Sequence, residues 1–266
     1  MNTRPPSTGN GIGSIETGLQ ILVALAQPGT PQMLKTIAEK VGMHPSKVHR
    51  YLVSFLNTGF VVRDAENGRY KLGPMSIRTG LAALHDTAGI RESIEIATAL
   101  RDKFDQTAIV TIWGSGGPVI AHMEEASNSQ TSVRVGTTLP ILSSASGQVF
   151  ASLLANEAVE TLIKKELESN IKRRDDRLIS TKSAAAKLIS GVRKSGIGAV
   201  NGELSPGLQT LAAAIKSRDG QPLAAIAVTG RSGTFSTSPR GEIATSLLRL
   251  SNEASQHLAS AAPGSD

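Results

Sequence analysis

Residues 34–73 contain the pattern that most restricts how this chain can fold: LKTIAEKVGMHPSKVHRYLVSFLNTGFVVRDAENGRYKLG. Leu34, Ile37, Ala38 and Val41 follow the i, i+3, i+4, i+7 spacing, which predicts a short helix with one buried face. We expect Gly42 to end that helix, because glycine adopts the left-handed conformation without a steric penalty. The pattern therefore begins with an amphipathic helix that stops at a tight turn.

A second helix follows the turn and carries an apolar face and a basic face. It is predicted to begin near residue 45 and to end over residues 57–59. The positions expected to be buried are Val48, Leu52, Phe55 and Leu56. The positions expected to be exposed are Ser46, Lys47, His49, Arg50 and Ser54.

A β-hairpin is predicted directly after the second helix. Residues 60–62 and 69–72 are expected to pair around Glu66, Asn67 and Gly68, because Asn-Gly is a strong hairpin signal. Two helices across a tight turn, followed by such a hairpin, form a winged helix-turn-helix. In that motif the second helix enters the major groove of DNA.

The same elements could pack as an ordinary helical hairpin beside a β-hairpin. The charge pattern favours DNA binding, because a purely structural surface would more often mix both signs. The expected contacts with bases or phosphates are from Ser46, Lys47, His49 and Arg50. The expected contacts with the DNA backbone are from the hairpin residues Arg63, Arg69 and Lys71.

Composition supports a nucleic-acid partner. The 266 residues carry a net charge of +6, and residues 1–88 hold 9 Lys and Arg against 5 Asp and Glu. Residues 89–266 hold 19 against 17, so the basic excess is concentrated in the smaller N-terminal part. Concentrated positive charge attracts a polyanion, because binding releases the condensed counterions.

Several other classes of protein are disfavoured. The chain has no cysteine, which removes disulfides, thiolate catalysis and cysteine zinc sites. No apolar run approaches the roughly 20 residues that a membrane span requires. The N-terminal residues lack the apolar core of a signal peptide. The predicted location is cytoplasmic.

The chain is predicted to divide near residue 88. The expected parts are a flexible arm over residues 1–13, a winged helix-turn-helix domain over 14–74, a linker helix over 75–88, a larger domain over 89–260 and a tail over 261–266. In the smaller domain, a helix over residues 14–26 is expected to turn Ile15, Leu19, Leu22 and Val23 inward.

The larger domain alternates helices with strands that are joined by hairpins. Helices are predicted over residues 90–104, 146–154, 156–168, 182–194 and 239–260. Strands are predicted over residues 107–113, 119–123, 131–135, 197–200, 210–216 and 223–229. Strand pairs joined by hairpins favour an α+β domain over a doubly wound one.

Catalytic, cofactor and metal signals are weak. The five histidines show no i, i+4 pair, and the GIGAVN run at residues 196–201 leaves a helix and enters a strand, the reverse of a dinucleotide fingerprint. We predict no enzyme activity, no cofactor and no metal. Two alternatives remain: a small-molecule enzyme with an accessory DNA-binding domain, and an architectural DNA-binding protein without an effector.

From Ser14 to about Leu258 the sequence resembles the isocitrate lyase regulator (IclR) family of bacterial transcription factors. The matching stretches are SIETGLQILVAL, LKTIAEKVGMHPSKVHRYLVSFLNTGFV, GRYKLGP, VGTTLPILSSASGQVFASLL, SPGLQTLAAAI and PLAAIAVTG. The resemblance implies a winged helix-turn-helix, a linker helix and a C-terminal GAF-like effector-binding domain. It also implies operator DNA as a partner, assembly as a homodimer or dimer of dimers, and a small carboxylic or aromatic acid as effector.

The residues that line the effector pocket in this family can be matched by position to residues of this sequence. The implied pocket residues are Thr131, Leu139, Leu142, Ala145, Ser146, Gly147, Asn201, Thr210, Ala227 and Thr229. Leu142 stands where many members have His, Gln148 where Lys is frequent, and Thr210 where Cys is frequent. These departures indicate a less charged pocket and a more apolar acid. Its carboxylate is expected at the helix start near Ser146, where the helix dipole favours an anion.

Overall fold

The computed structural model describes residues 11–26, 30–85, 87, 89–114, 116–129 and 131–260. The chain divides into two compact units, Met1–Leu84 and His85–Asp266. The predicted tail and most of the predicted arm lie outside the described residues. None of the helices in the described ranges is long and apolar enough to cross a membrane.

The small unit is a winged helix-turn-helix. Its elements are α1 (Gly13–Ala26), α2 (Leu34–Val41), α3 (Pro45–Asn57), β1 (Val61–Arg63), β2 (Tyr70–Leu72) and α4 (Pro74–His85). Gly42 ends α2 in the left-handed conformation, with φ of 64°, as its sequence position predicted. The core of this unit consists of Ile21, Leu25, Ile37, Ala38, Val48, Leu52, Val61 and Tyr70.

Helix α1 turns a different face inward from the one predicted. Ile15, Leu19 and Val23 are more than half exposed, and the buried positions are Gly18, Ile21, Ala24 and Leu25. Of the predicted set only Leu22 packs partly against the core. Both stripes have helical periodicity. The stripe with Gly18 packs inward because a glycine lets the helix approach the rings of α3 closely: a Cβ there would lie 3.1 Å from Phe55 Cζ.

The connection of the hairpin in the small unit begins and ends one residue later than predicted. Arg63 pairs with Tyr70, so residues 64–69 form the connection. The carboxylate of Asp64 accepts hydrogen bonds from the N–H groups of Glu66 (2.9 Å) and Asn67 (3.1 Å). These bonds stabilise a wider turn than the two-residue Asn-Gly connection.

The large unit is an α+β domain built on one five-stranded antiparallel sheet, as the hairpin pattern predicted. Its elements are α5 (Ile90–Phe104), β3 (Thr107–Gly114), β4 (Gly117–Glu124), α6 (Ala145–Leu153), α7 (Glu157–Arg173), α8 (Lys182–Ser195), β5 (Gly198–Asn201), β6 (Leu208–Lys216), β7 (Pro222–Arg231) and α9 (Glu242–Ser260). The strand order is β4-β3-β7-β6-β5. Helix α7 extends beyond the predicted end at residue 168.

The two faces of the sheet carry side chains of different size. In β6, Leu211 and Ile215 pack with α5 and α9, whereas Ala212 and Ala214 face the cluster that contains α6. In β7, Ala225 and Ala227 likewise belong to the α6 cluster. Because alternate side chains of a strand point to opposite faces, these four alanines lie under α6, where their small size leaves room for a cavity.

The strand predicted over residues 131–135 is absent. Thr137 N–H donates to Arg134 O (3.0 Å), which closes a turn at this point. Residues 136–139 instead run beside β4: Gly136 N–H donates to Ile120 O (2.8 Å), and Ile120 N–H donates to Thr137 O (3.0 Å). The segment therefore covers the edge of β4 irregularly and leaves residues 131–135 as a loop.

Candidate DNA-binding surface and ligand pocket

The predicted DNA-reading face of α3 is exposed. His44 caps the helix, because its Nδ1 accepts from Ser46 N–H (3.4 Å) and lies 2.8 Å from Ser46 Oγ. The side chains of Lys47, His49 and Arg50 are exposed, and within the described residues they form no hydrogen bond or ion pair. Three donors on one helical face are therefore available to an external partner.

The basic residues of the hairpin are only partly available. Arg63 Nε donates to Gly68 O (3.3 Å), and its guanidinium lies 5.5 Å from the centroid of the Tyr70 ring. Arg69 Nη1 donates to Pro31 O (3.3 Å). Lys71 is exposed, and its ammonium forms no hydrogen bond or ion pair among the described residues. Lys71 is thus the hairpin cation that is most free to contact a phosphate.

A buried glutamine holds the hairpin against the helices. The backbone of Gln32 exchanges two hydrogen bonds of 2.8 Å with that of Tyr70, so Gln32 extends the hairpin by one bridge. Its Nε2 donates to Ala24 O (3.1 Å) and Leu25 O (3.2 Å), and its Oε1 accepts from Lys40 Nζ (2.7 Å). No pattern in the sequence identifies Gln32, because its partners come from three separate elements.

A cavity in the large unit lies between α6 and the alanine face of the sheet. Its volume, measured as the space open to the centre of a water molecule, is about 40 Å³, and it opens to solvent on one side. The lining residues are Ile109, Thr131, Val133, Leu139, Ser144, Ala145, Ser146, Val200, Gly202, Leu204, Ser205, Leu208, Thr210, Ala227 and Thr229. None of them is ionisable, so the cavity is uncharged and its polar atoms are hydroxyls and backbone groups.

Seven of the ten implied pocket residues line this cavity, namely Thr131, Leu139, Ala145, Ser146, Thr210, Ala227 and Thr229. Leu142 is instead buried in the cluster that joins α6, α7 and α8. Gly147 faces the backbone of Pro140 and Ile141, which a Cβ would overlap. Asn201 is exposed, and its Oδ1 accepts from Thr237 Oγ1 (3.0 Å).

The structure adds wall residues from β3, β5, the loop over residues 202–207 and the start of β6, which the resemblance did not supply. That loop begins and ends at glycines with positive φ, 97° at Gly202 and 81° at Gly207. Gln148 lies outside the cavity: its Nε2 donates to Leu142 O (2.9 Å) and its Oε1 accepts from Ala199 N–H (3.0 Å). It joins α6 to the edge strand β5.

The start of α6 presents unpaired donors to the cavity. Ser144 Oγ caps the helix by accepting from Gly147 N–H (3.0 Å). Within the described residues, the N–H groups of Ala145 and Ser146 form no hydrogen bond. Ser146 Oγ accepts from Thr111 Oγ1 (3.2 Å), and Thr210 Oγ1 donates to Thr229 Oγ1 (2.9 Å). Free N–H groups at a helix start attract an anion.

The charged residues of β4 form a cluster away from the cavity. Glu124 Oε1 lies 2.8 Å from His122 Nε2 and accepts from Thr98 Oγ1 (3.3 Å). The hydrogen bond from His122 is the main cause that lowers the pKa of Glu124. Glu124 is thus part of an ion-pair cluster that also includes His122 and Arg101. Among the described residues, no group of three or more His, Asp or Glu side chains is placed to hold a metal ion.

Comparison with known proteins identifies close similarity along the chain. The model of the bacterial transcriptional regulator IclR C-terminal domain matches residues 82–256, and that of the IclR helix-turn-helix domain matches residues 14–65. The transcriptional repressor IclR of Escherichia coli strain K12 is 26% identical over 246 residues, covering 85% of this chain and 82% of that protein.

Two solved structures are informative. Pseudomonas aeruginosa HmgR is 33% identical, with a TM-score of 0.58 over 94% of this chain and 100% of that chain. An IclR homolog of Microbacterium hydrocarbonoxydans, complexed with 4-hydroxybenzoate, is 17% identical, with a TM-score of 0.73 over 92% of this chain and 98% of that chain.

Proposed function

The chain belongs to the IclR family of bacterial transcriptional regulators, and we propose that a small organic acid controls its action on an operator. Like its relatives, it is a DNA-binding transcriptional regulator and not an enzyme. The observation that carries the effector proposal is the uncharged cavity at the start of α6. Because operator DNA lies in the cytoplasm, we place the protein there.

The proposed reading element is α3. Lys47, His49 and Arg50 project from its exposed face, so they can reach base edges or phosphates when the helix lies in the major groove. Ser46 lies beside them, but its hydroxyl is hydrogen-bonded to the His44 ring. Lys71 is the proposed phosphate contact of the wing. Arg63 and Arg69 would have to exchange their contacts with backbone carbonyls for contacts with DNA.

The proposed effector is an acid with an apolar body. Its carboxylate would accept hydrogen bonds from the N–H groups of Ala145 and Ser146, with support from the helix dipole. Its body would lie against Ile109, Leu139 and Ala227, where no ionisable side chain offers a partner to a second charge. The 4-hydroxybenzoate complex of the IclR homolog supports an aromatic acid.

The proposed assembly is a homodimer formed through the small unit. Ile12, Ile15, Leu19 and Val23 make one exposed apolar stripe along α1, with exposed fractions of 54–63%. Helix α4 has no buried residue, and its Ile77 and Leu81 are about as exposed. Such stripes are typical of an interface, and a second copy is the occupant that fits a DNA-binding protein, because two-fold dimers read paired half-sites. A dimer of dimers would use a further surface.

Variants of α3 and the wing test the DNA contacts. We expect Arg50→Ala to weaken binding to an operator selected from random duplexes by about 1–3 kcal/mol and to relax its specificity. Lys71→Ala should weaken binding to all duplexes by the same factor and reduce the slope of log K against log salt concentration by about one. Arg218→Ala, an exposed site in the large unit, is the charge-matched control. Wild-type affinity and specificity in folded Arg50→Ala would refute the assignment.

Aromatic acids test the cavity. We expect 4-hydroxybenzoate or a related acid to raise the Tm of the wild-type protein, because a ligand stabilises the state that binds it. Thr131→Phe should abolish that shift, since residue 131 lines the cavity from a loop that tolerates bulk. Ser132→Phe, at the exposed neighbouring position, should retain it. A shift that survives Thr131→Phe would place the ligand elsewhere.

A further inference from the structure

A carboxylate from α7 holds the segment that leads into α6. Glu166 Oε2 accepts from the N–H groups of Ile141 (2.6 Å) and Leu142 (3.0 Å). Glu166 Oε1 accepts from the N–H (2.8 Å) and the hydroxyl (2.5 Å) of Ser143. All three donor residues are buried. Consecutive backbone N–H groups that converge on an anion form a nest, and here the anion is part of the same chain.

The carbonyl side of the same segment is also held. Pro140 O accepts from Ser144 Oγ (2.5 Å), and Leu142 O accepts from Gln148 Nε2 (2.9 Å). Ser144 in turn caps α6 through Gly147 N–H. The carboxylate therefore determines where residues 140–144 lie, and through Ser144 it determines where the first turn of α6 begins.

We propose that Glu166 is a positioning residue for the effector pocket. By filling the nest over residues 141–143, it fixes the start of α6 so that the free N–H groups of Ala145 and Ser146 face the cavity and can bind an incoming carboxylate. The link to an effector rests on the function proposed above. The nest itself can be tested without any effector.

The surroundings of Glu166 make an exchange of anions possible. The side chain lies in an open groove that is also lined by Lys165, Ser169 and Arg173. Glu203 also lines the groove, but the two cations outnumber this one acidic side chain, so a small carboxylate can enter the groove from solvent. When the Glu166 side chain is removed, added formate should therefore occupy the nest and restore its hydrogen bonds. A residue that contributes only packing cannot be replaced in this way.

Amide hydrogen exchange of a peptide spanning residues 139–148 tests the proposal in the full-length protein. We expect Glu166→Ala to accelerate exchange over residues 141–143 by about tenfold or more, the factor that corresponds to one lost hydrogen bond of a buried group. Formate should reverse the acceleration, and chloride at equal ionic strength should not. Glu168→Ala, an exposed site on the same helix, should exchange as the wild type does.

A second variant protects the test against misfolding. Glu166→Gln keeps the volume of the side chain and one oxygen acceptor, so it should accelerate exchange at part of the nest and resist rescue, because the amide blocks the site. Unchanged exchange in either folded variant, or an acceleration in Glu166→Ala that formate does not reverse, would overturn the proposal.

Titration with 4-hydroxybenzoate separates this proposal from the previous one. If wild-type protein binds the acid, Glu166→Ala should bind it at least tenfold more weakly, and equal affinity would refute the positioning role. If wild-type protein does not bind the acid, that effector is wrong, and formate rescue of exchange still decides whether Glu166 positions the start of α6.

Discussion

Replacing Gln32 tests how the wing is held to the helices of the small unit. Gln32→Leu keeps the side-chain volume but removes two hydrogen bonds to the last turn of α1 and one from Lys40. The carbonyls of Ala24 and Leu25 would then lose these partners in a site where residue 32 is only 5% exposed. At roughly 1 kcal/mol for each amide bond, with a smaller share for the partly solvated lysine, we expect the unfolding free energy to fall by about 2–3 kcal/mol.

The aromatic residues of the chain allow the two units to be followed separately. Both tyrosines, Tyr51 and Tyr70, lie in the small unit, and the single tryptophan, Trp113, lies in the large one. In fluorine NMR of fluorotyrosine and fluorotryptophan protein, the tyrosine signals of Gln32→Leu should melt about 10–20 °C below those of the wild type. The Trp113 signal should not move.

The control for this prediction is Gln20→Leu, at an exposed position of α1. All samples need equal protein concentration, because assembly makes Tm depend on concentration. Tyrosine signals that melt at the wild-type temperature would show that the side-chain bonds of Gln32 contribute little. An equal shift of the Trp113 signal would show that the effect spreads beyond the small unit.

Three further changes act within the large unit. Ser144→Ala should lower its unfolding free energy by about 1–2 kcal/mol in urea, because the α6 cap is lost. Gly147→Ala should lower its Tm, since a Cβ would overlap the backbone of Pro140, whereas Gly191→Ala on the open side of α8 should raise its unfolding free energy by about 0.5–1 kcal/mol. Asp175 should titrate in NMR with a pKa of about 2, which is lowered chiefly by the hydrogen bond from Arg177. The contribution of Asp175 to stability is therefore lost as pH falls from about 4 to 2. Arg177→Gln should return the pKa of Asp175 toward 3.8. The first two predictions would be contradicted if the Ser144→Ala or the Gly147→Ala protein were as stable as the wild type. The last would be contradicted if Arg177→Gln left the pKa of Asp175 unchanged.

Local patterns predicted the elements whose determinants are local. The helix expected over residues 90–104 has those bounds in α5, and the recognition helix and its basic face follow from one run of residues. The choice between the two apolar stripes of α1 was wrong because it depends on a distant partner. Only the rings of α3 decide that the stripe with Gly18 packs inward and that the stripe with Leu19 stays exposed.

The only lining residues of the cavity that were predicted are those that the family resemblance implied. Thr210 and Thr229 were transferred by position, and the structure brings their hydroxyls together. Ile109 and Val200 were missed because the sequence pattern of each is that of any apolar strand residue. Only the register of the sheet and the burial of Ala212 and Ala227 show that both side chains line the cavity. Glu166 was missed because its partners lie 23–25 residues earlier in the chain.

The hydroxyls of the cavity restrict what an effector can gain there. Thr111 already donates to Ser146, and Thr210 already donates to Thr229, which itself donates to Gln209 O (3.1 Å). A ligand oxygen that accepted a hydrogen bond from one of these three threonines would have to replace an existing bond, so it gains little net free energy. The free backbone donors at the start of α6 have no bond to lose. On the proposed function, the carboxylate therefore sets the position of the ligand, and the fit of its apolar body against the alanine face sets the selection among acids.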